Sequence, residues 1–328
     1  LLKYLNRAKR KAMSHLKLTR KDQLNFFLKV DGKKAQIVVA VKDKNNQFVS
    51  IPAPDMEVAD PIDDPELIST LNQLDGRVKT RVFGQDEVLD TIIDTIYAHQ
   101  IRNKENRVRP ASMFLVGSTG IGKSETAKAI AENLFGDESA ALVLPMGDIH
   151  SPYAMNEKVF GNLQGDPTPF EQFIKSNWRT GGIILWDEVS NMGGANLEMK
   201  DTLFKMLYDI IEEGKWTPPN ATEPIDISNF IFVFTGNDGE QLFNGISADD
   251  LRISVWEEEN RMESLGQLLR AKGIPEPFLG RMSDVILAKP LTTNMMAELA
   301  KKFMTPIIQA FRKRNLQIVI TEETYKQI

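Results

Sequence analysis

Residues 113–124 read Met-Phe-Leu-Val-Gly-Ser-Thr-Gly-Ile-Gly-Lys-Ser. Four apolar residues run straight into the pattern G-x-x-x-x-G-K-[ST], with Gly117, Gly122, Lys123 and Ser124 at its fixed points. No other segment constrains the fold as much. It demands a buried strand, a glycine-rich turn and a helix opening on that turn, predicted over Glu125 to Leu134. Backbone N–H groups along Ser118, Thr119, Gly120, Ile121, Gly122, Lys123, Ser124 and Glu125 would line a cradle for phosphate oxygens. The helix N-terminus adds partial positive charge. Lys123 would reach the β- and γ-phosphates of a nucleotide, and the Ser124 hydroxyl would bind Mg²⁺. The plainer alternative is a chance glycine-rich loop, and the strand before and helix after it argue against that.

Two further strands end in chemistry. Ile183-Ile184-Leu185-Trp186 is apolar and runs into Asp187-Glu188. In a doubly wound sheet the carboxyl ends of the strands face the ligand, which would set these acids beside the phosphate loop. Asp187 would hold the Mg²⁺ shell, and Glu188 would polarise the water that attacks the γ-phosphate. The competing reading is a strand that simply ends in a polar turn. Phe230–Phe234 is followed by Thr235-Gly236-Asn237-Asp238, where Asn237 is the candidate to touch the γ-phosphate or the water. Asn and Gly also serve as ordinary turn residues there. Residues 275–284 read Pro-Glu-Pro-Phe-Leu-Gly-Arg-Met-Ser-Asp. Arg281 is unremarkable by position alone. Its functional reading is an arginine finger given to a neighbouring subunit's nucleotide, a task suited to a planar, permanently charged guanidinium.

Composition narrows the classes. The 328 residues suffice for about two domains at ~150 residues each, and 42% are hydrophobic, enough for a sizeable core. The absence of cysteine excludes disulfides, thiolate metal sites and cysteine nucleophiles, and fits a reducing, cytoplasmic setting. His15, His99 and His150 lie far apart in sequence, so no histidine metal site is expected. No run approaches the ~20 apolar residues of a membrane span. The charge is uneven. Residues 1–50 carry 13 Lys and Arg against 3 Asp and Glu, whereas the remaining 278 carry 27 against 42. Residues 1–21 form a basic amphipathic helix pattern, with Leu1, Leu5, Ala8, Ala12 and Leu16 on one face. That pattern suits nucleic acid, an anionic surface or an acidic partner, or simply a solvated helix packing on its own protein. Strand-like runs follow at Phe26–Val30, Ile37–Val41 and Phe48–Ile51, then an acidic stretch with Pro52, Pro54, Pro61 and Pro65 that reads as a linker. Beyond it helix and strand patterns alternate, with core strands expected at Met113–Val116, Ala141–Leu144, Ile183–Trp186, Phe230–Phe234 and Asp284–Leu287. A helix over 197–213 sets Leu203, Met206, Leu207, Ile210 and Ile211 on one face, with Gly214 as its stop. The chain opens on Leu1 and ends in a helical pattern, so a longer protein is expected around it.

The order of these motifs resembles the AAA+ ATPases, and more closely the Clp-type unfoldase branch. Val82-Phe83-Gly84-Gln85-Asp86-Glu87 is similar to that branch's opening motif, whose backbone at Val82 and Phe83 would lie near the adenine. Residues 117–135 resemble its Walker A loop and helix, Ile184–Glu188 its Walker B, Thr235–Asn237 its sensor 1, and 275–281 the segment carrying the finger. The resemblance covers about 80–328. It implies an α/β fold, a three-layer α/β/α parallel sheet of five strands, with the start of a C-terminal helical lid and a small N-terminal α+β region. The implied division is 1–75 for the basic helix, β unit and linker, 76–291 for the large ATPase domain and 292–328 for the lid. ATP and Mg²⁺ are the implied cofactors, and the implied assembly is a homo-oligomeric ring, usually a hexamer, that remodels a protein substrate or works with an adaptor.

Three departures stand out. Where Clp-type unfoldases present an aromatic grip between Walker A and Walker B, this chain reads Phe160-Gly161-Asn162-Leu163-Gln164-Gly165-Asp166-Pro167, with Asp166 at about the aromatic's place. Phe160, Leu163 and Phe170 are the apolar candidates to substitute. Trp256-Glu257-Glu258-Glu259 adds an acidic stretch before the finger segment. The lid opens near Thr292 with Met296, Leu299, Ala300, Phe303, Ile307 and Phe311 on one helical face, and its sensor 2 arginine would lie past Ile328. Three functions therefore stay in contention. They are a remodelling motor acting on protein, a nucleic-acid-associated module using the basic N-terminal helix, and an assembly subunit that uses ATP mainly to set its oligomeric state.

Overall fold

The computed structural model describes Leu24–Asp31, Lys34–Lys42, Phe48–Ile51 and residues 65–325, with breaks at 83, 101–108, 119, 163–165, 244–254, 317 and 322–323. The helix expected over 1–21 and most of the proline-rich linker lie outside the described residues. Two compact units emerge: Leu1–Pro65 with Gln100–Glu105, and Glu66–His99 with Asn106–Ile328. The boundary expected at 75–76 falls inside a helix, because Pro65, read as part of the linker, opens Pro65–Arg81 instead. Proline suits a first helical turn, where its missing N–H is no loss.

In the first unit, β1 (Leu24–Asp31), β2 (Lys34–Lys42) and β3 (Phe48–Ile51) form an antiparallel sheet in the order β1-β2-β3. Leu24 pairs with Val41 and Asp31 with Lys34 across β1 and β2.

The second unit begins with α1 (Pro65–Arg81) and α2 (Asp86–Gln100). Then come β4 (Ala111–Val116), α3 (Lys123–Phe135), β5 (Ala141–Pro145), the short α4 (Pro152–Met155) and α5 (Pro169–Asn177). They are followed by β6 (Ile183–Asp187), α6 (Leu197–Glu213), an antiparallel pair of two-residue strands, β7 (Lys215–Trp216) and β8 (Ile225–Asp226), and β9 (Ile231–Gly236). The unit closes with α7 (Val255–Ala271), α8 (Glu276–Leu279), β10 (Asp284–Leu287) and α9 (Thr293–Arg312). Five strands make one parallel sheet in the order β10-β4-β9-β6-β5. All five expected core strands are present.

Successive residues of a strand face opposite sides of its sheet, and here both sides are buried. Phe114, Val116, Ile184, Trp186, Phe232 and Phe234 pack on one side with Leu203, Phe204, Leu207 and Ile211 of α6. Met113, Leu115, Ile183, Leu185, Ile231 and Val233 pack on the other with α1, α2 and α3. This is why the strands read as continuous apolar runs rather than alternating ones. The helix pattern over 197–213 holds closely: α6 is capped by the Asn196 side chain and ends at Gly214 in the left-handed conformation. The helix α9 departs from its pattern. Thr292 caps it, but Ala297 is its one buried residue, and Met296, Phe303, Ile307 and Phe311 are 50, 66, 45 and 38% exposed. Its apolar periodicity is real, yet much of that stripe stays exposed among the described residues.

Candidate nucleotide site

The site begins where β4 ends. All six residues of β4 are buried, and Gly117 follows under the same cover: a β-carbon there would sit 2.6 Å from Ile121 Cδ1 and 2.9 Å from Ala288 Cβ. Gly120 and Gly122 hold φ values of +85° and +91°, a region that L side chains rarely adopt. The loop thus turns tightly and opens α3 at Lys123, with Gly122 as a cap that has no side chain. The first-turn N–H groups of Lys123, Ser124 and Glu125 have no partner within the helix itself. A phosphate anion suits such a helix start.

Lys123 is buried and folded back into this loop. Its Nζ donates to the carbonyls of Gly117 (2.7 Å) and Ser118 (3.1 Å), and to Asn237 Oδ1 (2.7 Å). The Gly236 carbonyl lies at 3.4 Å. Burial pushes the Lys123 ammonium below its ordinary pKa, while the charges of Asp187, Glu188 and Asp238 pull it back up. A bound polyphosphate would add to that pull.

Asn237 is the hinge of the constellation. Its Oδ1 accepts from Lys123, and its Nδ2 donates to Glu188 Oε1 at 2.6 Å. One amide therefore links the loop lysine to the acid at the end of β6. Asn191 Nδ2 reaches Glu188 Oε2 at 3.3 Å. Asp187 stands next to it, accepting from Thr235 Oγ1 at 2.6 Å through Oδ1. The backbone N–H of Glu188 donates to the same Thr235 hydroxyl at 2.9 Å. Glu188 holds φ +60°, ψ 38°, a left-handed conformation uncommon for a residue other than glycine.

Most of the residues singled out from the sequence can be placed. Lys123, Glu188 and Asn237 form one hydrogen-bonded chain, with Asp187 adjacent. Ser124 stands half-buried in the first turn of α3. The carboxylate of Glu125 pairs with Arg81 at 2.5 Å, so its side chain is engaged with α1. Val82 is buried, with Cγ1 3.6 Å from the β-carbon position of Gly122. Phe83 and Thr119 lie outside the described residues. Gly84 touches the segment that opens α9, its β-carbon position 2.9 Å from Met295 Sδ and 3.0 Å from Leu291 Cδ2.

Arg281 is not brought to this site within the chain. Asp284 pairs with Met113 and Leu287 with Val116, so the start of β10 lies at the end of the sheet away from the phosphate loop. The Arg281 guanidinium stacks 4.6 Å over the Tyr208 ring. Its Nη1 donates to the Pro277 carbonyl at 2.7 Å, and its Nε lies 2.9 Å from Glu212 Oε2. Arg109 pairs with the other oxygen of Glu212. In the stretch between the phosphate loop and the paired acids, Phe160 and Phe170 are buried, their rings 6.2 and 5.5 Å from that of Trp186. They belong to the core. Leu163 lies outside the described residues.

Sequence reasoning gave no role of their own to three contributors: Thr235, Asn191 and Lys200. Thr235 had a signal, a hydroxyl closing the apolar run Ile-Phe-Val-Phe. Lys200 is buried in the first turns of α6, where its Nζ donates to the carbonyls of Ser190 (2.7 Å) and Lys272 (2.8 Å). This ties the segment after Glu188 to the end of α7.

The donor set fits Mg²⁺ with a nucleotide. Among the described residues no group of three or more His, Cys, Asp or Glu side chains could cage a metal. Mg²⁺ needs no such cage, since it binds through one or two carboxylates together with substrate phosphates and water.

A parallel sheet with a phosphate-cradling loop on one strand and paired acids on another, bridged by a polar residue from the strand between, defines an ATPase of the phosphate-loop class. The sequence profile of the AAA domain family (Cdc48 subfamily) matches residues 109–285, more than half of the chain, and the chain belongs to that family, as a Clp-type AAA+ ATPase. It is 25% identical over 260 residues to the chaperone protein ClpB of Clostridium tetani, covering 77% of this chain and 28% of that protein. It is 24% identical over 321 residues to the ClpA homologue, an ATP-binding subunit of the Clp protease, of Porphyra purpurea, covering 88% of this chain and 37% of that one. Among solved structures, an extended Saccharomyces cerevisiae Hsp104:casein complex superposes with a TM-score of 0.61 at 19% identity, covering 80% of this chain and 43% of that chain. The chain thus spans roughly a third of the length of these curated relatives. Among the described residues no helix is long and apolar enough to cross a membrane.

Proposed function

We propose that this chain binds Mg·ATP on the loop 117–124 and hydrolyses it, and that it couples turnover to remodelling a protein partner within a homo-oligomeric ring, hexameric in the manner of its family. The observation that carries the reading is the chain Lys123–Asn237–Glu188, with Asp187 adjacent. Lys123 turns from its carbonyls to the β- and γ-phosphate oxygens. Ser124 and Asp187 would hold Mg²⁺, whose charge would offset that developing on the phosphates. Glu188 orients and polarises the attacking water, and Asn237 holds both Glu188 and the phosphate end in register. Val82 and Phe83 border the adenine. Arg281 acts in trans, carried by a neighbouring copy to the far side of the γ-phosphate. Its distance from its own loop supports that arrangement. By the same likeness to bacterial chaperones, we place the protein in the cytoplasm.

The test joins three measurements on one preparation: ATP turnover, particle size with and without ATP, and stimulation by an unfolded protein such as casein. The reading expects turnover that Glu188→Gln abolishes, with ATP-dependent assembly kept. Turnover unaffected by Glu188→Gln refutes it. A second reading, an assembly subunit that uses ATP mainly to set oligomeric state, gains support from the burial of Phe160 and Phe170, which removes two candidate grips. It expects assembly without stimulation by casein. The nucleic-acid reading rests on residues 1–21, outside the described part of the chain, and salt-sensitive binding to a random duplex is its test.

A further inference from the structure

The two acids of the site have separate proposed tasks, yet one hydroxyl serves both. Thr235 has no solvent exposure. Its Oγ1 donates to Asp187 Oδ1 at 2.6 Å and accepts from the Glu188 backbone N–H at 2.9 Å. One side chain from the neighbouring strand therefore holds both the Asp187 carboxylate and the N–H of the peptide that joins the two acids. The register explains how it gets there: Ile183 pairs with Ile231 and Trp186 with Phe234, so the next step along β6 and β9 brings Asp187 level with Thr235.

We infer that Thr235 is a positioning residue for ATP hydrolysis, setting the rotamer of Asp187 and the left-handed backbone of Glu188 together. The chemistry selects the residue. A hydroxyl donates and accepts at once, whereas a carbonyl only accepts and an ammonium only donates. Valine has nearly the same shape and does neither. Donation to Oδ1 fixes the carboxylate plane and leaves Oδ2 for the metal's ligand shell. Acceptance from the Glu188 N–H holds a backbone conformation that strain alone would relax, and this conformation aims the Glu188 side chain at Asn237. Asn237 would set how Glu188 meets the phosphate; Thr235 would set where both acids start from.

The inference rests on the hydrolytic reading of Asp187 and Glu188, so the experiment carries its own control. Thr235→Val, Thr235→Ser and Glu188→Gln are compared with the wild-type chain. The readouts are kcat, the Mg²⁺ concentration for half-maximal turnover, ATP affinity in EDTA, and a thermal melt. Loss of a hydrogen bond to a charged group predicts a kcat about 10- to 150-fold lower for Thr235→Val. Its Mg²⁺ requirement rises and its metal-free ATP affinity is kept. Thr235→Ser restores both kinetic readouts to within about threefold of wild type, since the hydroxyl is retained. A purely structural role would lower the melting temperature without moving the Mg²⁺ requirement. Wild-type kcat and Mg²⁺ dependence in Thr235→Val overturn the inference, as does a Thr235→Ser as impaired as the valine variant. Should the valine variant fail to fold, Thr235→Ala against Thr235→Ser makes the same comparison. If Glu188→Gln turns over at the wild-type rate, the hydrolytic reading itself falls; if Glu188→Gln is dead and Thr235→Val is unaffected, only the role of Thr235 falls.

Discussion

The glycines of the phosphate loop should fail in different ways when replaced, because each is needed for a different reason. At Gly120 nothing lies within 4 Å of the β-carbon position, but φ is +85°. At Gly117 φ is ordinary, but the β-carbon would lie 2.6 Å from Ile121 Cδ1 and 2.9 Å from Ala288 Cβ. Left-handed backbone costs an L residue about 1–2 kcal/mol. Gly120 is exposed, so in Gly120→Ala the free loop can relax and the strain returns when phosphate reorders it. The expected result is ATP affinity weakened about 5- to 30-fold with stability nearly unchanged. At Gly117 the crowding is present with or without ligand. Overpacking of this kind costs about 1–3 kcal/mol, and it should appear mainly as a melting temperature lowered by several degrees. Asparagine sharpens the contrast. It tolerates the left-handed region better than alanine but is larger. Gly120→Asn should therefore bind ATP better than Gly120→Ala, and Gly117→Asn should be less stable than Gly117→Ala. Calorimetric titration and thermal melts of the four variants measure both orders. If asparagine is the worse residue at both positions, the assignment of conformational need to Gly120 and of space to Gly117 is wrong.

Further outcomes follow from the same geometry. Lys123→Ala should abolish ATP binding by calorimetry, because the buried ammonium is the cation nearest the phosphate loop; near-normal affinity would exclude it from the site. Arg281→Ala should leave ATP binding intact and slow turnover of the assembled ring about 10³-fold if it is a trans finger, whereas equal slowing in a dilute, unassembled sample would show a local packing role. Lys200→Met strips the donor from the carbonyls of Ser190 and Lys272 and should cost about 1–3 kcal/mol in denaturant unfolding. Burial holds the Lys200 ammonium below its ordinary 10.5. The unfolded chain therefore binds the extra proton between that lowered value and 10.5, and wild-type stability gains on Lys200→Met as pH rises through this window. A pH-independent difference between the two proteins would contradict the assignment.

What could be read from the sequence was local or periodic. The phosphate loop is contiguous, and Gly117, Gly122, Lys123 and Ser124 carry their geometry in their own backbone. The core strands announced themselves as apolar runs because both faces of a covered parallel sheet are buried. What escaped depends on register between distant segments. Thr235 acts on Asp187 because β9 pairs with β6 at Ile183–Ile231, and no periodicity within either strand fixes that offset. Arg81 pairs with Glu125 and Glu132 of α3 and with Glu138 just past its end, which again is set by tertiary geometry. The stripe of α9 shows the converse limit. Periodicity established an amphipathic helix but not its covering partner. By sequence Phe160 and Phe170 are candidates for the missing aromatic grip, yet their packing on Trp186 makes them core.

The sheet order explains why one strand can serve both halves of the site. The loop that carries Lys123 leaves β4, and the acids leave β6, but these strands are not neighbours: β9 lies between them in the order β4-β9-β6. Its carboxyl end therefore faces the phosphate loop on one side and the acidic pair on the other. Two residues there divide the contacts. Thr235, still in the strand, reaches sideways to the Asp187–Glu188 peptide, and Asn237, just beyond it, spans from Lys123 to Glu188. A shift of Lys123 toward phosphate must change what Asn237 accepts, and so what Glu188 feels, through one rigid amide. A strand at the sheet edge could touch only one of the two partners. The coupling between phosphate binding and the hydrolytic acid is thus a consequence of topology, and substituting Asn237 should alter the response of turnover to ATP more than it alters the stability of either neighbour.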